Sequence, residues 1–272
     1  MNNNTISTAM IDIFRNCPRA YFLGLYYAKF SVNENTKPLT TLKKCLLQGI
    51  AHINLQNITT LAQVQKYVGK YFPESVYKSR QLTRSHATES FFYVYHCLKN
   101  YLNNQYIIDG FEKVGVAAKL KSRVALAQIY LEDTLDLVLW NSKTKTLEVV
   151  DFVTKAPKYS DGTWPSLEDL VMTYLSQKLK LHYPYENLII TKYTLYNKMP
   201  DDIKAYVNQN LITETQFELH YPQLVQNLIQ MNDLTKIKGQ EYSELLKQPC
   251  DCKLCYTFNQ NLAKMRKHEI SA

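Results

Sequence analysis

The feature that most constrains the fold is a short apolar run ending in an acid and then a lysine, LEVVDFVTK at residues 147–155. Apolar and β-branched residues of this kind favour a β-strand. Because side chains alternate along a strand, Asp151, Val153 and Lys155 share one face. The segment therefore predicts a core strand that brings a carboxylate and a cation to one place.

Length and composition predict a folded protein. The 272 residues are 46% hydrophobic, which suffices for one large domain, or one domain with a helical elaboration. No apolar run approaches the roughly 20 residues of a membrane helix, and the first residues lack the pattern of a signal peptide. These observations predict a cytoplasmic protein that has no membrane partner.

The charge of the chain favours a polyanionic partner. The net charge is +8 and the pI is near 9.0, and clustered Lys and Arg neutralise phosphates. Basic side chains are predicted on one strand face and near a later helix: Lys119, Lys121, Arg123, Lys178 and Lys180. The 21 tyrosines can stack on bases. The alternative interpretation is an ordinary solvated surface.

The hydrophobic period changes from helical to strand-like at Gly115. Helical patterns precede this point at residues 5–29, with a break at Pro18, and at 39–57 and 60–108. Later patterns predict strands at residues 116–124, 126–130, 135–140, 147–151 and 188–196, and helices at about 166–183 and 201–247. This order predicts an α/β protein with a mixed sheet. We expect one domain over residues 1–272, with a helical elaboration at about 58–110 and a C-terminal segment at about 201–272.

The six cysteines fall into two groups. Cys45 and Cys97 stand alone in helical sequence, which is typical of small buried hydrophobic residues. The others lie near the two ends of the chain: Cys17, Cys250, Cys252 and Cys255. In a reducing compartment, such crowding favours a metal site over disulfides.

Five short motifs occur in an informative order. They are Cys17-Pro18-Arg19, Gly49-Ile50-Ala51-His52, Leu135-Asp136-Leu137-Val138, Asp151-Phe152-Val153 and Gln177. With them the chain resembles the PD-(D/E)XK nuclease superfamily, in particular the RecB-like exonucleases, which include the CRISPR-associated RecB-like exonucleases and AddAB nuclease domains. The resemblance covers about residues 7–256. It implies a restriction-endonuclease-like mixed central sheet flanked by helices, with the N- and C-terminal helical segments joined near the cysteine group.

The resemblance also implies a metal-dependent deoxyribonuclease site. Asp136 and Asp151 would bind Mg²⁺ or Mn²⁺, with His52 as an imidazole ligand and the Phe152 carbonyl completing the protein ligands. Gln177 would help to position the site. The simpler alternatives are a hydrogen-bonded core histidine for His52 and a surface glutamine for Gln177.

Three positions depart from the family pattern. Val153 occupies the position of the family lysine and cannot stabilise charge. Lys155, on the same strand face, is the candidate replacement, and a solvated lysine is the alternative. Leu181 stands where the family has tyrosine, and Asn261 stands where it has its last cysteine.

By the same resemblance, Cys17, Cys250, Cys252 and Cys255 would hold a [4Fe-4S] cluster, with structural Zn²⁺ or no metal as alternatives. The expected partner is DNA, single-stranded or at ends, together with a helicase, CRISPR or repair protein. The expected activity is DNA hydrolysis in repair, recombination or defence. The alternatives are a catalytically inactive relative that binds DNA or a helicase, and a structural adaptor held together by zinc.

Overall fold

The computed structural model describes residues 5–27, 37–71, 84–106, 108–153, 166–195 and 207–236, and positions 244, 250, 252 and 255. The chain forms two compact units. The first contains residues 1–32, 123–131 and 221–272, and the second contains residues 33–122 and 132–220. The cysteine group belongs to the first unit, and the predicted nuclease residues belong to the second.

The described helices follow the predicted pattern closely. They are α1 (Thr8–Asn16), α2 (Pro18–Tyr27), α3 (Lys37–Asn54), α4 (Leu61–Tyr71), α5 (Arg84–Asn103), α6 (Leu167–Ser176) and α7 (Glu214–Leu234). Pro18 begins α2, at the helix position where a missing N–H is tolerated. A short 3-10 helix, Gln177–Leu181, continues from α6.

The described strands form one mixed sheet. They are β1 (Thr5–Ile6), β2 (Glu112–Val124), β3 (Ile129–Asn141), β4 (Thr146–Val153), β5 (Asn187–Thr194) and β6 (Val207–Ile212). Their order is β1-β3-β4-β5-β6, and β2 also pairs with β3. The β1–β3 and β4–β5 pairs are parallel, whereas β3–β4 and β5–β6 are antiparallel. This confirms the predicted mixed sheet.

In the second unit the sheet has helices on both faces. On one face, Val150 and Phe152 of β4 are buried in a cluster with Ile50 of α3, Val68 of α4 and Leu98 of α5. On the other face, side chains of α6 contact β5, as described below. The predicted α/β class, with a mixed sheet flanked by helices, is therefore confirmed.

Two segments differ from the predicted elements. The helix expected over residues 201–247 is wrong at its start, because β6 pairs there with β5. Its sequence, VNQNLI, has no clear period of its own, and the hydrogen bonds offered by β5 determine its conformation. Residues 126–130 and 135–140 were expected as separate strands, but β3 is continuous from Ile129 to Asn141.

Gly49 lies inside α3 and fits closely against neighbouring helices. A Cβ atom at this position would lie 2.6 Å from Leu98 Cδ1 and 3.0 Å from Tyr67 Cε1. The glycine therefore allows α3 to pack closely against side chains of α4 and α5.

Candidate functional site

Asp136 and Asp151 lie side by side on neighbouring strands. Leu137 pairs with Val150, and one further step along this antiparallel pair places Asp136 opposite Asp151. The backbone N–H of Phe152 donates to Asp136 Oδ2 at 3.0 Å. Leu137, Val150 and Phe152 point into the hydrophobic cluster, so alternation directs both aspartates to the other face.

Lys192, which belongs to none of the five motifs, completes this row. Lys192 of β5 pairs in register with Asp151, and its Nζ donates to Asp151 Oδ2 at 2.7 Å. The Lys192 side chain is 5% exposed, whereas that of Asp151 is 25% exposed. Three neighbouring strands thus present a carboxylate, a second carboxylate and an ammonium on one face.

Helix α6 adds two further carboxylates around Lys192. Nζ lies 3.3 Å from Glu168 Oε2 and 3.7 Å from Asp169 Oδ1. Both acids come from the first turn of α6, where negative charge is favourable to a helix. Asp169 also forms a capping box with Ser166, which begins the helix. Asp169, which caps the start of α6, is therefore also an acid that lies beside Lys192.

The electrostatics of this group follow from burial and charge. Burial alone would lower the pKa of Lys192, but Asp151, Asp169 and Glu168 outweigh it and hold that pKa above the ordinary value. Burial raises the pKa of the Asp169 carboxyl, although Lys192 and Ser166 act in the opposite direction. Lys192 is consequently a permanent ammonium in the pH range where proteins function.

His52 is not brought into this group. Its helix α3 packs through Ile50 and Ile53 on the cluster face, opposite the aspartates. The His52 ring lies 5.5 Å from the Tyr67 ring, and its Nδ1 is 3.4 Å from Asn57 Nδ2. Among the described residues, His52, Asp136 and Asp151 do not form a group whose ligand atoms all lie within 4.8 Å of one another. The apolar side of α3 determines this placement.

The other predicted site residues have varied positions. The Phe152 side chain is buried in the core, and its N–H supports Asp136. Gln177 is exposed and lines a pocket with Lys180 and Tyr185. Val153 ends β4 and is partly buried. Lys155, the candidate replacement lysine, lies outside the described residues.

The basic strand face is present as predicted. Lys119, Lys121 and Arg123 alternate with less exposed residues along β2. Glu132 of β3 lies 2.5 Å from Lys119 Nζ and 3.5 Å from Lys121 Nζ. Hydrogen bonding from Lys119 lowers the pKa of Glu132, so this acid neutralises part of the positive charge.

In the first unit, four cysteines converge from distant parts of the sequence. The Sγ atoms of Cys17, Cys250, Cys252 and Cys255 all lie within 4.8 Å of one another. Cys17 Sγ is 3.3 Å from Cys250 Sγ and 3.6 Å from Cys255 Sγ. This arrangement can hold a metal ion. Cys45 and Cys97 are buried in the hydrophobic cluster of the second unit, as predicted.

Burial and backbone hydrogen bonding act in opposite directions on the thiol pKa values of Cys17 and Cys250. Cys17 and Cys255 are buried beside Ala20, Phe22 and Leu23, and burial raises the pKa of both thiols. A hydrogen bond from the Cys252 backbone lowers the pKa of Cys250 to about 7. The N–H of Ala20 donates to Cys17 Sγ at 3.2 Å, and that of Cys255 donates to Cys252 Sγ at 3.4 Å. Such N–H groups stabilise negative sulfur.

Comparisons with known proteins do not establish a family. No protein-family model matches the chain, and no curated protein matches it. Among solved structures, the chain is similar to the crystal structure of SSO0001, with 13% identity over 74% of this chain and 90% of that chain, at a TM-score of 0.27. A similarity at that level carries no argument about fold or function. Within the described residues, no helix has the length and apolar character needed to cross a membrane.

Proposed function

We propose that the chain is a metal-dependent deoxyribonuclease of the RecB-like type. The observation that carries this proposal is the placement of Asp136 and Asp151 on one sheet face, joined through the Phe152 N–H at 3.0 Å. Adjacent carboxylates of this kind suit Mg²⁺ or Mn²⁺, which prefer oxygen ligands. When bound, such an ion polarises a phosphate and lowers the pKa of water.

Residues of the protein itself would position the two carboxylates and attract the substrate. The Phe152 N–H fixes one oxygen of Asp136, and the pairing of β3 with β4 fixes its distance from Asp151. The basic face of β2 would attract the nucleic-acid backbone. Cleavage of single-stranded and end-labelled duplex DNA, with Mn²⁺ or Mg²⁺, tests the proposal directly.

Variants Asp136→Asn and Asp151→Asn should each lower cleavage at least about 100-fold, because each removes a carboxylate from the ion. Asp109→Asn, a change at an exposed loop carboxylate, is the matched control and should retain the wild-type rate. An inactive wild type under all metals and substrates would overturn the proposal, as would full activity in both site variants.

A second candidate is a catalytically inactive protein that binds DNA. Val153 at the lysine position favours it, as does the fact that the Lys192 ammonium is already surrounded by three carboxylates. In that case DNA should bind with strong salt dependence but remain intact. Lys121→Glu should weaken such binding more than Lys145→Glu, because Lys145 lies in the turn between β3 and β4 and not on β2.

The cysteine group is proposed to hold a single tetrahedral Zn²⁺ ion that links the two ends of the chain within the first unit. A zinc ion with bonds of about 2.3 Å separates its sulfurs by about 3.8 Å, close to the 3.3 and 3.6 Å separations found at Cys17. Four thiolates are also the ligand set of a [4Fe-4S] cluster, which is the alternative occupant. One zinc per chain supports the proposal, and stoichiometric iron with inorganic sulfide contradicts it.

A further inference from the structure

We propose that Lys192 of β5 supplies the positive charge that Val153 of β4 cannot provide, so that the lysine of the site comes from the neighbouring strand. This inference rests on the proposed nuclease function and assigns a residue to it. The primary observation is the register of the parallel β4–β5 pair, in which Lys192 lies directly beside Asp151.

The register places the charges where one phosphate can meet them. Neighbouring strands are about 4.8 Å apart, so the row Asp136, Asp151 and Lys192 spans two strand spacings on one face. Lys192 Nζ contacts Asp151 Oδ2 at 2.7 Å. A lysine at position 153 would instead lie one side chain further along β4 on the same face. A lysine at position 153 and the lysine at position 192 can therefore both direct an ammonium towards the Asp151 carboxylate.

The ammonium of Lys192 lies beneath two partly exposed acids. The side chains of Glu168 and Asp151 are 36% and 25% exposed, whereas those of Lys192 and Asp169 are 5% and 1% exposed. The partly exposed acids thus cover a buried cation, and a ligand that approaches Asp151 also approaches Lys192.

Asp169 acts as a positioning residue for this ammonium. Its Oδ2 accepts from the Ser166 N–H at 3.1 Å and from Ser166 Oγ at 2.6 Å. Its Oδ1 is buried without a hydrogen bond among the described residues and faces Lys192 Nζ at 3.7 Å. Because α6 fixes one oxygen, the other holds the lysine side chain towards β4.

The chemistry requires a cation at this place. In hydrolysis the attacking water releases a proton to solvent while its oxygen forms a bond to phosphorus. The bond from phosphorus to the leaving sugar oxygen breaks, and that oxygen leaves with the electron pair and takes up a proton from solvent. Negative charge grows on the phosphate oxygens during this step. A fixed ammonium of low exposure stabilises that charge more than a solvated one does. Lys192 is held in such a position before the substrate arrives.

The test compares four proteins: wild type, Lys192→Met, Lys192→Met with Asp169→Asn, and that double variant with Val153→Lys. Asp169→Asn is included because Lys192→Met alone leaves a buried carboxylate without its cation. Lys145→Met, which removes a lysine from the exposed pair with Glu186, is the control. Single-turnover cleavage with Mn²⁺, Mn²⁺ affinity and circular dichroism are measured for each protein.

We expect the folded double variant to cleave at least about 100-fold more slowly than wild type, with Mn²⁺ affinity changed less than about 10-fold. Val153→Lys should then restore at least a tenth of the wild-type rate, because it returns an ammonium to the same face. A folded double variant with the wild-type rate overturns the inference but leaves the nuclease proposal intact. Loss of Mn²⁺ binding without rescue by Val153→Lys also overturns it, since Lys192 would then only maintain the structure. An inactive wild type overturns the nuclease proposal itself.

Discussion

At the residue scale, the carboxyl group of Glu148 shows how this protein places an acid in its core. Glu148 is fully buried on β4. Its Oε1 accepts from Tyr106 Oη at 2.6 Å and from the hydroxyl of Thr191 on β5. A buried carboxyl group depends on such partners, because water cannot replace them.

Tyr106→Phe should lower the free energy of unfolding by about 1–3 kcal/mol, because a buried acceptor loses one hydroxyl donor. Denaturant titration followed by circular dichroism measures the change. Tyr183→Phe, at a partly buried tyrosine packed against Trp140, is the control and should change stability by less than about 0.5 kcal/mol. Equal stability of the two variants would show that the Glu148 hydrogen bond contributes nothing.

The sequence around Lys192 places a charged side chain among apolar strand residues. Asp136 stands between apolar strand residues, where an acid is costly to bury without a partner. The same argument applies to Lys192, which stands in the run LIITKYT at residues 188–194. The sequence thus contained a signal for this residue. Its partner Asp151 lies 41 positions away, and only the pairing of β4 with β5 identifies it.

At the element scale, helix packing around α3 depends on one small residue. Gly49 lies where a methyl group would meet Leu98 and Tyr67, both of which are buried. Gly69 of α4 has no such neighbours within 4 Å. Alanine substitutions at the two positions therefore distinguish the intrinsic helix preference of alanine from the effect of packing.

Gly69→Ala should raise the free energy of unfolding by up to about 1 kcal/mol, because alanine favours the helix. Gly49→Ala gains the same preference but forces its neighbours apart, which costs about 1–3 kcal/mol, and should therefore be the less stable variant. Thermal and denaturant unfolding of both variants measure the difference. A Gly49→Ala protein as stable as Gly69→Ala would show that Leu98 moves aside freely.

At the scale of the whole molecule, the cysteine group joins distant segments of the first unit. Cys17 and Cys255 are 238 positions apart and their sulfurs are 3.6 Å apart. An ion bound there would close a very long loop and stabilise the folded state. Helix α2 begins directly after Cys17, so its stability should respond to the metal.

Removal of the metal with a strong chelator, or Cys17→Ser, should lower the melting temperature and increase hydrogen exchange in α1 and α2. Cys97→Ser changes a buried cysteine outside the group and should keep the full metal content. Hydrogen exchange followed by mass spectrometry, together with metal analysis, measures both effects. Full metal content in Cys17→Ser would contradict the proposed ligand set.

The sequence by itself determined the mixed α/β class, the positions of most helices and strands, the alternation that places Asp151 and Val153 on one face, and the crowding of three cysteines near residue 252. These features follow from local periodicity and spacing. The tertiary structure decided that β6 is a strand, that Asp136 lies beside Asp151, that helix α3 packs on the opposite face of the sheet, and that Lys192 contacts Asp151. These features depend on which strands pair and in which register. The local sequence of a strand does not specify which distant segment it pairs with.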